Sequence, residues 1–395
     1  MTRDVVIVSG ARTPIGRLGG AFKDMLASDL GAVAIRAAVE RAGVAPEQVD
    51  EVIMGNVLQA AETGYTARRA MLKAGLPETV PAMTVNRACS SGLEAINLAV
   101  QSIATGESDV VVAGGAESMS QAPYLLMGHR FDGLRMGDVS LTDSLTMVLS
   151  CPVYDYHMGV TAENVAERFE VGRTAQDELA VTSHRRAVAA QEQGRFDGQI
   201  VPVAVPQRRG EPVEVTKDEH PRADTSVEAL AKLPAAFKEG GTVTAGNSAG
   251  VNDAAAAVVV MSADRAAAEG IAPRLRWVGR GVAGVDPAVM GTGPVPATRK
   301  VLEKTGITLD DIDLIELNEA FAAQAIYVIR ELGMDVEKTN VNGSGISLGH
   351  PLGATGAIMV VKLMEELERR DARLGLATLC VGGGQGVATL FERVS

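Results

Sequence analysis

The chain has 395 residues, 46% hydrophobic and 22% charged, which is enough apolar material for a large core and a length that predicts two or three domains. Its net charge of −12 argues against nucleic acid or an anionic membrane surface as a general partner, so an anionic ligand has to be held by a local cluster of basic groups. Three cysteines without C-x-x-C spacing fit neither a disulfide framework nor a zinc site, and the absence of a signal-like start or a long apolar run predicts a soluble, unexported protein in a reducing cytoplasm.

Up to about residue 119, strand-like segments (4–9, 51–55, 82–85, 109–113) alternate with helix-like ones (29–42, 66–73, 90–105), an α/β pattern. Within it, Thr84-Val-Asn-Arg-Ala-Cys-Ser-Ser-Gly-Leu-Glu-Ala95 places Cys89 between the end of a strand and a helix whose apolar residues (Leu93, Ile96, Ala99, Val100, Ile103) recur at helical spacing. Unpaired N–H groups and the positive dipole end at such a position favour a thiolate. A buried structural cysteine is the alternative. Ser-Ser-Gly directly afterwards weighs against it, since small residues leave room for something to approach the sulfur.

From residue 121 to 249 the chain changes character. It is rich in charge and turn residues, with an amphipathic helical run near 162–193 and a hairpin over 201–219 around Arg209-Gly210, and it reads as an inserted lid. Residues 252–261 are then apolar enough for a buried strand that returns to the first half.

The second half repeats the first. Ala34-Ile-Arg-Ala-Ala-Val-Glu-Arg-Ala-Gly43 aligns without a gap with Ala297-Thr-Arg-Lys-Val-Leu-Glu-Lys-Thr-Gly306, and Asp50-Glu-Val-Ile-Met54 meets Asp313-Leu-Ile-Glu-Leu317 at the same offset. The Cys89-x-x-Gly92 turn has its counterpart in His350-x-x-Gly353. A duplicated α/β unit follows, with the first half over residues 1–120 and 250–272, the lid over 121–249 and the second half over 273–395.

Three further stretches carry chemistry. Val341-Asn-Gly-Ser-Gly-Ile-Ser-Leu-Gly-His-Pro-Leu-Gly-Ala-Thr-Gly356 sets His350 before a proline suited to the first turn of a helix, and its five glycines permit close approach of backbone to ligand. A lone histidine is more often structural. Here the repeat brings His350 to the place that mirrors Cys89, and a thiol beside an imidazole is an activated nucleophile. In Leu376-Ala-Thr-Leu-Cys-Val-Gly-Gly-Gly-Gln-Gly386 no phosphate-loop pattern is present; Cys380 ends a strand, and the glycines leave N–H groups free for an oxyanion hole. Asn318, in Asn318-Glu-Ala-Phe321, follows a strand and could position a water or cap a helix.

Together, Asn-Arg-x-Cys-Ser-Ser-Gly, Asn-Glu-Ala-Phe, Gly-His-Pro-x-Gly and Cys-x-Gly-Gly-Gly-Gln-Gly, in this order, resemble the thiolase family over essentially the whole chain. The resemblance implies a thiolase fold: two duplicated α/β halves in a five-layered α/β/α/β/α arrangement with an inserted loop domain. It implies coenzyme A thioesters as substrates, no permanently bound cofactor or metal, and a homo-oligomer built from dimers. By motif, Cys89 is the acylated nucleophile, His350 its base and Cys380 the acid/base at the α-carbon of the second thioester. Asn318 (through a water) with His350, and the N–H groups of Cys89 and Gly382, are the two oxyanion holes. His157, Met158, Arg222, Phe237, Ala249, Met290 and Phe321 match positions that contact coenzyme A or the acyl group in relatives. Two departures stand out: Ser248-Ala249 where the family often has Ala-Ser, and a more apolar, shorter Thr146-Met-Val-Leu-Ser-Cys-Pro-Val153, in which Cys151 is read as a packing residue.

The expected activity is reversible condensation of two acetyl-CoA to acetoacetyl-CoA, with a broad-range 3-ketoacyl-CoA thiolase as the alternative. A ketoacyl synthase shares the duplicated fold but leaves Cys380 and Asn318 unexplained. A non-catalytic scaffold would tolerate loss of a motif, and all four are intact.

Overall fold

The computed structural model describes residues 3–394 apart from 132, 134 and 135. Strands Val5–Arg12 (β1), Glu51–Gly55 (β2), Ala82–Val85 (β3), Val110–Ser118 (β4), Asn252–Ser262 (β5), Leu275–Gly284 (β6), Leu314–Leu317 (β7), Leu374–Val381 (β8) and Gln385–Arg393 (β9) form the long path of a ten-stranded sheet. Their order is β7-β8-β9-β6-β1-β5-β4-β2-β3, and the short strand Gly16–Arg17 pairs with β5 off that path. Moving outward from the β6–β1 seam, each half makes two antiparallel pairings and then a parallel one: β1–β5, β5–β4, β4–β2 on one side and β6–β9, β9–β8, β8–β7 on the other. The repeat read from 34–43 and 297–306 is therefore also a repeat of strand order and direction.

The helices that build the layers are, in chain order, Ala27–Ala42 (α1), Thr66–Ala74 (α2), Ser91–Thr105 (α3), Met158–Arg168 (α4), Arg173–Glu192 (α5), Pro294–Thr305 (α6), Ala322–Leu332 (α7) and Leu352–Arg369 (α8). Strand periodicity decides what each sheet face buries. Val5 and Ile7 of β1 join the central core with Leu93 and Ile96 of α3 and Val361 of α8, whereas Val6 and Val8 face outward onto Leu30 and Ile35 of α1. The outer face of the second half is closed by Val301 of α6 and Val328 of α7. Helices α3 and α8 thus lie between two sheet halves, with α1 and α2 outside one and α6 and α7 outside the other, giving the five-layered α/β/α/β/α thiolase fold.

The central pair is packed backbone to backbone. A Cβ on Gly356 would lie 2.4 Å from the Leu93 nitrogen, and one on Gly92 would lie 2.8 Å from the Gly353 carbonyl oxygen. Only glycine permits that approach. Because Cys89 precedes α3 and His350 precedes α8, alanine at either position would separate the two chemical groups as well as the helices.

The helical run expected near 162–193 is two helices. The break falls between Arg168 and Arg173, where Glu170 is left-handed at φ 53° and Val171 turns into the core at 3% exposure. The hairpin read around Arg209-Gly210 is present, with Val203–Val205 antiparallel to Val213–Val215. The lid is tied to β1 by Arg12 and Asp218, both fully buried and 2.7 Å apart. Removing one partner of such a pair leaves a bare buried charge and costs about 3–5 kcal/mol. Among the described residues no helix is long and apolar enough to cross a membrane.

Candidate active site

Cys89 stands in the turn between β3 and α3, and its neighbours in the motif build that turn. Asn86 Oδ1 accepts the Ala88 N–H at 2.9 Å, and Ser90 Oγ donates to the Arg87 carbonyl at 3.0 Å. Ser91 Oγ accepts the Arg87 N–H at 2.9 Å and donates to the Ala88 carbonyl at 2.6 Å. These bonds hold Ala88 at φ 43°, a left-handed conformation that costs an L-residue about 1–3 kcal/mol. The chain reverses there, immediately before the thiol.

The backbone N–H groups of Cys89 itself and of Gly382 favour the Cys89 thiolate. Burial nevertheless pushes the thiol up to about 11, with those two N–H groups opposing it and the Glu117 carboxylate adding to it. The stabilisation of a thiolate expected at a helix start is thus present but outweighed by desolvation, and Cys89 rests as a thiol.

His350 is 6% exposed, and burial lowers its pKa to about 4, so the imidazole is neutral near pH 7. Its Nδ1 lies 2.7 Å from Thr355 Oγ1, and that hydroxyl donates to the Pro351 carbonyl at 2.9 Å. A hydroxyl has one proton. With it committed to Pro351, Thr355 accepts from His350 Nδ1–H, which leaves the lone pair on Nε2, 3.4 Å from Asn318 Nδ2. The His350 N–H donates to Asn252 Oδ1 at 3.0 Å. Pro351 itself caps α8, one position earlier than the first-turn place expected for it.

Asn318 and Cys380 lie beneath the surface. Asn318 is fully buried, its N–H donates to the Thr378 carbonyl at 3.0 Å, and its Oδ1 makes no hydrogen bond among the described residues. It does not cap α7, whose N-cap is Phe321. Cys380, on β8 opposite Gly386, is also fully buried, in one apolar cluster with Met158, Met290 and Phe321. Burial first, and then the neighbouring Cys89, raise its pKa well above the ordinary thiol range. The three glycines that follow close the β8–β9 hairpin, with Gly383 and Gly384 left-handed at φ 82° and 83°.

A cavity of about 450 Å³ joins these elements. Cys89, His350 and Gly382 are on its wall; the lid contributes His157, Met158, Arg222, Phe237 and Ala249, and Met290 and Phe321 complete the residues singled out from the sequence. Asn318 and Cys380 stay one layer below, the former against His350 and the latter near enough to Cys89 to feel its charge. The His157 ring stacks on Phe237 at 4.7 Å while its Nδ1 accepts the Gly159 N–H at 3.0 Å and so caps α4. Phe237 meets Phe321 edge-on at 6.0 Å. The Arg222 backbone is fixed by His184, whose Nδ1 accepts its N–H at 3.2 Å. At the Ser248-Ala249 departure the hydroxyl reaches the cavity wall, but its proton goes to the Thr244 carbonyl at 2.7 Å. Cys151 is buried in the Met158 cluster as a packing residue.

Sequence reading did not single out Thr355, Asn252 or His220, although His220 lines the cavity and Asn252 and Thr355 hold His350. The Thr355 signal was available: it falls in the Gly-His-Pro stretch, on the helix that follows the imidazole.

Residues 5–264 match the thiolase N-terminal domain and residues 271–393 the thiolase C-terminal domain. Over 391 residues the chain is 53% identical to an acetyl-CoA acetyltransferase of Cupriavidus necator, covering 99% of each sequence. Its structure superposes on the Bacillus anthracis acetyl-CoA acetyltransferase with a TM-score of 0.97 at 50% identity, covering 100% of this chain and 99% of that one. It superposes on human mitochondrial 3-ketoacyl-CoA thiolase in complex with CoA with a TM-score of 0.95 at 44% identity, covering 100% and 98%. On motif order, layered fold and whole-length similarity, the chain belongs to the thiolase family.

Proposed function

We propose that the protein is an acetyl-CoA C-acetyltransferase that condenses two acetyl-CoA to acetoacetyl-CoA and CoA, and runs the reverse thiolysis, through an acetyl-Cys89 intermediate. The observation that carries the reading is that Cys89, Gly382 and a neutral His350, whose Nε2 lone pair is free of Thr355, share the wall of one cavity. The relatives named acetyl-CoA acetyltransferase support the acetyl group, and the neighbour solved with CoA supports a CoA thioester as its carrier.

In this scheme His350 Nε2 takes the Cys89 proton as sulfur attacks the thioester carbonyl, and hands it to the departing CoA sulfur. One S–C bond forms and one breaks. The Cys89 and Gly382 N–H groups receive the oxyanion of that step; donors fixed beforehand are worth most where charge develops. Cys380 then passes its own proton to His350 Nε2 and, as the thiolate, takes an α-proton from the second acetyl-CoA, while the His350 Nε2–H group and Asn318 hold the enolate oxygen. The enolate carbon attacks the acetyl carbonyl, one C–C bond forms as the Cys89 S–C bond breaks, and His350 returns its proton to the Cys89 sulfur, which leaves the α-proton on Cys380. A base with a raised pKa suits a weakly acidic carbon once ionised, which is the reason for a second thiol in the site.

The proposal extends to the rest of the molecule. Residues 1–120 with 250–272 and residues 273–395 act as the paired halves, 121–249 as the loop domain over the substrate, and the working form is a cytoplasmic homo-oligomer of dimers. Incubation with acetyl-CoA followed by intact-mass measurement tests the central step: one acetyl group is expected, mapping to Cys89. No gain in mass, or an acetyl group on Cys151 or Cys380, would overturn it.

A further inference from the structure

Glu117, at the end of β4, is a fully buried carboxylate that the scheme above leaves without a task. Four donors converge on it. Asn56 Nδ2 at 2.7 Å and the Leu58 N–H at 3.1 Å donate to Oε1, while the Val57 N–H at 3.0 Å and the Gly353 N–H at 2.7 Å donate to Oε2. Three of these come from the turn after β2, and the fourth from the first turn of α8. Every partner donates, so both oxygens must accept, which is the pattern of an ionised carboxylate.

The fit around Gly353 leaves no slack. A Cβ there would lie 2.8 Å from Glu117 Oε2 and 2.8 Å from the Asn56 Cα, and a Cβ on Gly115 would lie 1.9 Å from the Gly353 carbonyl oxygen. The start of α8 is therefore seated directly on the end of β4 and on the 56–58 turn. Gly353 follows His350 across Pro351 and Leu352, and Val57 forms part of the cavity wall. Negative charge at this end of α8 also agrees with the helix dipole.

We propose that Glu117 is a positioning residue for acetyl transfer: its carboxylate clamps the first turn of α8 to the 56–58 turn and so fixes His350 against Cys89. This rests on the roles given to Cys89 and His350 above. Burial raises the Glu117 pKa to about 7 against the opposing Leu58, Val57 and Gly353 N–H groups, and the charge of the carboxylate in turn raises the pKa of the Cys89 thiol.

Glu117→Gln keeps the volume but presents an NH2 group to N–H donors. Rapid-quench acetylation of Cys89 by acetyl-CoA should slow about 10- to 100-fold, the cost of a small displacement of a catalytic group, while KM changes less than about twofold because no substrate contact is lost. Asn56→Ala removes one donor and spares the carboxylate; a smaller loss of the same kind is expected, and this variant carries the test if Glu117→Gln does not fold. Wild-type acetylation rates in the folded variants, or a rate loss matched by an equal rise in KM, would overturn the proposal. If wild-type protein itself takes no acetyl group, the function reading fails instead, and the two failures are distinguishable.

Discussion

Thr355 Oγ1 lies 2.7 Å from Nδ1 of His350, and its proton is already given to the Pro351 carbonyl. The imidazole is thereby held as the Nδ1–H tautomer with its basic nitrogen toward Asn318. Thr355→Val keeps the shape and removes the acceptor, stranding a buried N–H at a cost of about 1–3 kcal/mol or driving the proton to Nε2. Either outcome weakens the base, the first because no acceptor then stabilises the imidazolium and the second because Nε2 loses its lone pair. We expect kcat to fall about 10- to 100-fold with KM little changed, and Thr355→Ser to restore most of it. Steady-state thiolysis of acetoacetyl-CoA checks this; a valine variant as fast as wild type would mean that the tautomer is set elsewhere.

The half-buried thiol of Cys89 and the buried one of Cys380 should separate on substitution. Cys89→Ala is expected to lose both thiolysis and condensation, since no other group receives the acetyl. Cys380→Ala should still be acetylated at Cys89, because His350 supplies that step, yet should lose exchange of the α-protons of acetyl-CoA with deuterated solvent. Mass spectrometry of the protein and NMR of the thioester read the two halves independently. Undiminished exchange in the Cys380 variant removes that residue from the mechanism.

What the sequence disclosed about this site, and what it hid, divides along physical lines. Cys89, His350 and Gly382 sit at turns built from contiguous residues, so a stretch such as Asn86-Arg-Ala-Cys-Ser-Ser-Gly92 carries its own geometry in its spacing. The repeat was legible for the same reason, as 34–43 and 297–306 are whole helical segments ending in Gly43 and Gly306 at left-handed C-caps. Glu117 and Asn252 have no such local signature: their partners, Gly353 and His350, lie in the other half of the chain, and the packing of α8 on β4 and β5 brings them together. Charge state was hidden too. A helix start predicts a thiolate at Cys89, whereas the apolar cavity that raises its pKa is a property of the assembled lid. The break at Glu170 was missed because residues on both sides keep helical spacing.

His184 gives a pH prediction with a definite sign. Burial, with His220 and Arg222 nearby, lowers its pKa from 6.5 to about 4. Between those values the unfolded chain binds a proton that the folded chain refuses, so stability is lost as pH falls through that window. At pH 5 the loss from one such group is about 2 kcal/mol. His184→Asn places an amide oxygen where Nδ1 accepts the Arg222 N–H and removes the titration. Urea unfolding at pH 7 and pH 5, at matched protein concentration, should show a smaller acid loss in the variant than in wild type. Parallel losses would mean that His184 titrates normally.

For the proposed reaction, acyl chain length would be decided where Met158, Met290 and Phe321 line the cavity that holds Cys89. Met158 and Met290 are buried in one cluster with Phe321 and Cys380, and the Met158 methyl carbon would lie 3.0 Å from a Cβ on Gly382. An acetyl group needs little room there, and each further methylene has to displace a side chain, at about 1–3 kcal/mol when it cannot be accommodated. Methionine is the side chain best able to yield, which moderates the discrimination. Val148 and Leu149, from the more apolar stretch before Cys151, also reach the cavity wall and offer a longer chain apolar surface. We expect kcat/KM to be highest for acetoacetyl-CoA, lower for 3-ketohexanoyl-CoA and lowest for 3-ketodecanoyl-CoA. Met158→Ala should flatten that series by raising the longer substrates rather than lowering the shortest. Equal or higher values for the longer substrates in the wild-type protein would assign it instead to broad-range 3-ketoacyl-CoA thiolysis.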